Sequence, residues 1–135
     1  MSEFPIAEYT WDVEQQSYHL LPGEGGESIA RVTSATSWLT KGIGVIGMRE
    51  LPIGQGLWLP GVTAIHTWFV AFPLDLLFLD ANGCSVKVAL GVRPWTSLVW
   101  APGAADVIEL GAGTILSQSE HTILGKKWVL RPFRE

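Results

Sequence analysis

The chain's apolar runs between residues 57 and 110 are all short, and they are punctuated by Pro60-Gly61, Asn82-Gly83 and Pro102-Gly103. Proline withholds a backbone donor and glycine opens positive φ, so these pairs stop a helix but turn an extended chain back on itself. Strands are therefore expected at 57–59, 65–70, 74–79, 85–90, 98–100, 107–110 and 127–130, where apolar residues alternate or run briefly. Asn82-Gly83 is the strongest hairpin signal. A further short strand at 29–32 leads into the best helix candidate, capped by Thr33 or Ser34, passing through Trp38 and Leu39 and stopped by Gly42 and Gly44. Residues 114–118 add a brief helical turn. The expected fold is mainly β, α+β at the margin: an antiparallel sheet curled into a small barrel or sandwich with one main helix.

With 135 residues, 47% hydrophobic and 16% charged, one domain with one real core is expected. Residues 1–27 read as an N-terminal arm, rich in acids and glutamines and ending in Pro22-Gly23-Glu24-Gly25-Gly26-Glu27, with the single β-rich domain at 28–135. Trp11, Val13, Tyr18, Leu20 and Leu21 make the arm too apolar for a solvated tail, which leaves its docking open.

The net charge of −4 argues against nucleic-acid binding, which draws its affinity from lysines and arginines facing phosphates. The basic and aromatic stretch Lys126, Lys127, Trp128, Arg131, Phe133, Arg134 reads as a terminal strand with solvated charges. A lone cysteine, Cys84, leaves no intramolecular disulfide and no thiolate zinc site, which fits a cytoplasmic protein. His19, His66 and His121 lie in different segments without metal-ligand spacing. The apolar stretch 57–79 is broken by Pro60, Gly61, His66, Pro73 and Asp75, so no membrane contact is expected. Gly111 and Gly113 before Thr114 resemble a phosphate-cradling turn, yet no lysine follows at phosphate-loop spacing, and no cofactor is expected.

The segments Gly44-Val45-Ile46-Gly47-Met48-Arg49-Glu50-Leu51-Pro52, Gly56-Leu57-Trp58-Leu59, Ile65-His66-Thr67-Trp68-Phe69 and Phe72-Pro73-Leu74-Asp75-Leu76-Leu77-Phe78-Leu79-Asp80, followed by Val107-Ile108-Glu109-Leu110-Gly111-Ala112-Gly113, resemble in order and spacing the prokaryotic family called domain of unknown function 192. The likeness spans roughly residues 28–125. It implies a compact β-rich fold with one main helix and no agreed activity. The chain departs from the family pattern where a basic residue is common: it has Met48 with Arg49 one place later, Val70-Ala71 before Phe72-Pro73, and Thr96 after Pro94-Trp95.

If 65–70 and 74–79 pair as a hairpin, the period of two puts His66, Trp68 and Val70 on one face, with Asp75 a diagonal neighbour of His66. A carboxylate that fixes an imidazole's tautomer makes it a general base. The plainer alternative is that Asp75 accepts backbone N–H bonds and His66 is an ordinary strand histidine. Glu109 is expected to pair with Arg49 or Arg93. The candidate ligand-binding residues are thus His66, Trp68, Asp75, Arg49 and Glu109, in a small binding or accessory domain whose partner is a small molecule or a protein. Two readings stand beside it: a small enzyme with His66 as base and Asp75 as its orienter, and a structural or oligomerising domain.

Overall fold

The computed structural model describes residues 17–23, 26–35, 45–46, 48–115 and 123–133. In chain order the strands are β1 (Ser17–Leu21), β2 (Ala30–Ser34), β3 (Gln55–Pro60), β4 (Ala64–Ile65), β5 (Leu74–Leu79), β6 (Ser85–Val92), β7 (Val99–Trp100), β8 (Asp106–Gly111) and β9 (Val129–Pro132). Seven of them form one sheet in the order β6-β5-β8-β3-β2-β1-β9, and β4 with β7 makes a separate two-stranded layer. The pairing is antiparallel except between β2 and β3, which run parallel with Val32 opposite Gly56. The two edge strands come together through an isolated antiparallel bridge, Cys84 to Lys127, supported by Ser85 N–H donating to the Lys126 carbonyl and Trp128 N–H to that of Gly83, each at 2.9 Å. The sheet is thereby curled into a half-barrel and is mainly β, as the turn punctuation requires.

Each face of the curled sheet carries its own apolar cluster. Leu57, Leu59, Leu74, Leu76, Phe78 and Val107 pack on one face with Ile65, Val70, Val45 and Leu51 from the covering segments. Leu77, Leu79, Ile108, Leu110, Val32, Leu20 and Trp128 pack on the other. Strand β5 lies between β6 and β8 with a cluster on each side, so all six of its residues are buried and its sequence is nearly continuous in leucine rather than alternating.

Strand β1 comes from the segment read as an arm and lies between β2 and β9. The expected helix through Trp38, Leu39, Gly42 and Gly44 lies outside the described residues. Its proposed caps, Thr33 and Ser34, belong to β2 and are buried. Residues 65–70 are not a strand. β4 ends at Ile65 and the chain turns at Trp68 and Phe69, because Thr67 is drawn into bonds with the β6–β7 connection instead of with β5. Among the described residues no helix is long and apolar enough to cross a membrane.

Candidate functional site

The hairpin that would have joined His66 to Asp75 does not form. β5 pairs with β6 on one side and β8 on the other, which leaves no edge for residues 65–70. Asp75 opposes Leu110 and shares its face, and its side chain is sealed from solvent. The carboxylate there accepts three backbone N–H groups: Gly91 to Oδ1 at 2.9 Å, Gly113 to Oδ2 at 3.0 Å and Ile115 to Oδ2 at 3.3 Å. These bonds pin a bulge in β6, where register slips between the Leu74 and Leu76 pairings, to the turn after β8. Gly113 and Ile115 offer the amides that a phosphate would have used. An internal carboxylate already occupies them, so the glycine turn is a clasp rather than an anion cradle.

His66 is exposed and makes only local bonds: Trp68 N–H donates to Nδ1 at 3.2 Å, and the ring lies 4.9 Å from that of Trp68. Accepting at Nδ1 favours the neutral tautomer that carries its proton on Nε2. Arg49 is exposed, as is Arg93. Neither pairs with Glu109, whose Oε1 is buried without any hydrogen-bond partner. Glu109 sits in β8 directly opposite Leu57 and Leu76, whose cluster covers the face opposite to the one Asp75 occupies. The dry surroundings push its pKa up from 4.5 to about 8 by desolvation. Among the five candidates the structure thus brings together His66 and Trp68 alone. The C-terminal basic stretch forms β9, and its Trp128 is in the core.

What the structure does assemble is a pair of interlocked connections, 66–73 between β4 and β5 and 93–98 between β6 and β7. Thr67, fully buried, is their hub. Its hydroxyl donates to the Arg93 carbonyl at 2.7 Å and accepts Thr96 N–H at 2.8 Å. Its N–H donates to the Thr96 carbonyl at 2.9 Å, and its own carbonyl accepts Trp95 N–H at 2.8 Å and Val70 N–H at 3.2 Å. Each connection then holds one aromatic residue in the left-handed region, Phe69 at φ 66° and Trp95 at φ 65°. These are the only non-glycine residues with positive φ among those described. Their rings meet at 4.7 Å, yet Phe69 stays 65% and Trp95 60% exposed. Trp68, Leu98 and Trp100, in or beside the same two connections, are exposed as well. A left-handed non-glycine residue costs about 1–2 kcal/mol, while one aromatic pair contributes only about 0.5–1.5 kcal/mol beyond its burial. The ring pair does not by itself offset two such residues, so the bonds to Thr67 must hold the geometry.

Phe69, Trp95 and Thr67 are not among the residues that the sequence nominates. Pro94 marks a turn, but nothing in the chain announces that tryptophan occupies the corner glycine usually takes. The readable signal is compositional: Trp68, Trp95, Phe69, Phe72 and Leu98 in two short connections with no acid.

The model of the family domain of unknown function 192, described as an uncharacterised ACR, matches residues 21–120. The chain belongs to this family. Its fold is shared by a Sinorhizobium meliloti 1021 protein provisionally described as a transcription regulator, at a TM-score of 0.70 and 21% identity, covering 86% of this chain and 93% of that one. A Novosphingobium aromaticivorans DSM 12444 protein of unknown function matches at a TM-score of 0.65 and 18% identity, covering 84% of this chain and 83% of the other. No curated protein matches. This member of the domain of unknown function 192 family joins an uncharacterised group, and at these identities the two structures speak for the fold alone.

Proposed function

We propose that this protein is a cytoplasmic binding module whose recognition surface is the aromatic platform on the two interlocked connections, and that its partner is a protein. The observation that carries the reading is the pairing of Phe69 and Trp95, both held at positive φ with their rings in solvent. Strain kept at exposed apolar side chains does nothing for the core and is characteristic of binding sites. Tryptophan is the preferred interface anchor, and rings projecting from loop tips suit a pocket on a partner, whereas a small ligand is ordinarily enclosed in a concavity. Asp75 supports the platform from below by fixing the end of β6 that leads into Arg93 and Pro94. It is not part of the surface.

The test places a photo-crosslinking residue at position 95 and, as a control, at Leu124, which is 65% exposed outside the two connections. Discrete adducts from position 95 alone, lost when Phe69→Ser is added, support the platform. Equal labelling from both positions removes it, and an adduct to a second copy of the chain favours the oligomerising reading instead. If the two rings serve recognition rather than folding, the double variant Phe69→Ser with Trp95→Ser unfolds within about 1 kcal/mol of the parent.

A further inference from the structure

Glu109 has no role in the platform described above, and its setting needs an explanation. Its side chain is 4% exposed, and Oε1 has no partner. Strands β3 and β5 face it with Leu57 and Leu76. The rest of that apolar cluster comes from the covering layer, with Ile65 of β4 and Val99 of β7, and from Val45, Met48 and Leu51 of the segment before β3. That layer is slight, two residues on each strand. It is tied to the main sheet by Lys87, whose Nζ donates to the Trp100 carbonyl at 2.9 Å, and its two strands run directly into the aromatic connections.

We propose that Glu109 is a proton-operated latch on this layer: the neutral carboxyl lies sealed beneath it, and loss of the proton loosens the layer, and with it the aromatic platform, from the sheet. The role as regulator rests on the platform being the recognition surface. The response of the layer to protonation does not.

Among the described residues, the charged groups near this face offer ionised Glu109 no ready partner. On β6, Lys87 is committed to Trp100. On the segment before β3, Arg49 and Glu50 are exposed, as are His66 and Arg93 on the connections. On β5, Asp75 faces the other cluster and is saturated by backbone amides. On β8, Asp106 accepts from Trp58 Nε1 and Gly61 N–H. β3, β4 and β7 contribute no charged side chain. A carboxylate formed here has to reach water, because an unpaired charge is not tolerated in an apolar interior. The thin layer is the side on which water can enter. The value near 8 given above places the change just above neutral pH.

The experiment uses the full chain with 5-fluorotryptophan, following fluorine NMR from about pH 6 to about pH 9.5, a range that brackets such a group. Trp95 and Trp100 are expected to shift together with a midpoint near 8, while Trp58 and Trp128, which pack on the opposite face, stay still. Glu109→Gln abolishes the transition and Cys84→Ser keeps it. The proposal is overturned if the parent shows no transition, if the transition survives Glu109→Gln, or if all four tryptophans move in step. Should Glu109→Gln fail to fold, glutamate labelled at the carboxyl carbon reads the proton directly in the parent, and a lowest-field midpoint in the ordinary carboxylate range refutes the latch. Crosslinking from position 95 that fails while this titration succeeds removes the platform but leaves the latch.

Discussion

Replacing Asp75 with asparagine separates the two roles this residue has been given. In the structure its two oxygens accept the amides of Gly91, Gly113 and Ile115. An asparagine side chain at this position keeps a single carbonyl oxygen, so its NH2 group must confront either the Gly91 donor or the Gly113 and Ile115 pair. Hydrogen bonds to a charged acceptor contribute about 1.5–3 kcal/mol each, and a buried donor left unpaired costs about 1–3 kcal/mol. Gly91 is exposed and water restores its bond, but Ile115 is fully buried. The net loss expected for Asp75→Asn is therefore about 3–5 kcal/mol, a large share of the 5–15 kcal/mol a domain usually has, with a fall in Tm of roughly 10–15 °C for a chain of this size. Urea unfolding followed by tryptophan fluorescence measures it. A loss below about 1 kcal/mol, together with a displaced His66 titration by NMR, would refute the clasp and restore Asp75 as the partner of the imidazole.

Glu109→Gln should change how stability depends on pH. The folded state holds the Glu109 proton more tightly than the unfolded state, so this group's contribution is fully present below pH 4.5 and is lost as pH rises toward 8. By pH 7 the parent has given up about 3 kcal/mol on this account, and Glu109→Gln removes that slope in denaturation curves run from acid to neutral pH. At Gly111 an added Cβ would lie 2.2 Å from the Pro52 carbonyl oxygen and 2.4 Å from that of Leu51, so Gly111→Ala costs at least about 3 kcal/mol. Gly103→Ala meets open space at φ 86° and costs only about 1 kcal/mol by calorimetry. Thr67→Val leaves the Arg93 carbonyl the Thr96 hydroxyl but strands the Thr96 amide, and is expected to lower stability by about 1–3 kcal/mol and to broaden the Phe69 and Trp95 ring resonances.

The extent to which the chain can be read follows from where its information is local. Strand β5 is legible at both ends because Leu74 to Leu79 is apolar at every position but Asp75, and the β5–β6 hairpin because Asn82-Gly83 has a conformational preference of its own. In that hairpin Asp80 Oδ1 caps the amides of Asn82 and Cys84, both at 2.9 Å. The parallel pairing of β2 with β3 has no local signature, since partners such as Val32 and Gly56 lie far apart along the chain. Residues 65–70 look like a strand by period and composition. What ends it is the bonding of Thr67 to Arg93 and Thr96, partners 26 and 29 residues away, which no window along the chain contains. The candidate site is legible to the same degree: Trp68 and His66 lie at the edge of the platform, whereas pairing His66 with Asp75 depends on a hairpin that this distant bonding replaces. A cation is the natural expectation for Glu109, because a buried lone carboxyl is costly. Arg49 and Arg93 are instead exposed, and desolvation is met by keeping the proton.

Backbone order in the two connections tests the platform most directly, because a surface prepared in advance for a partner must be as rigid as the sheet that carries it. Nitrogen-15 relaxation of the free protein is predicted to give order parameters near 0.85 at residues 67–70 and 95–98, matching β5. Values below about 0.6 there, or an absence of contacts between the Phe69 and Trp95 rings in nuclear Overhauser spectra, would contradict it.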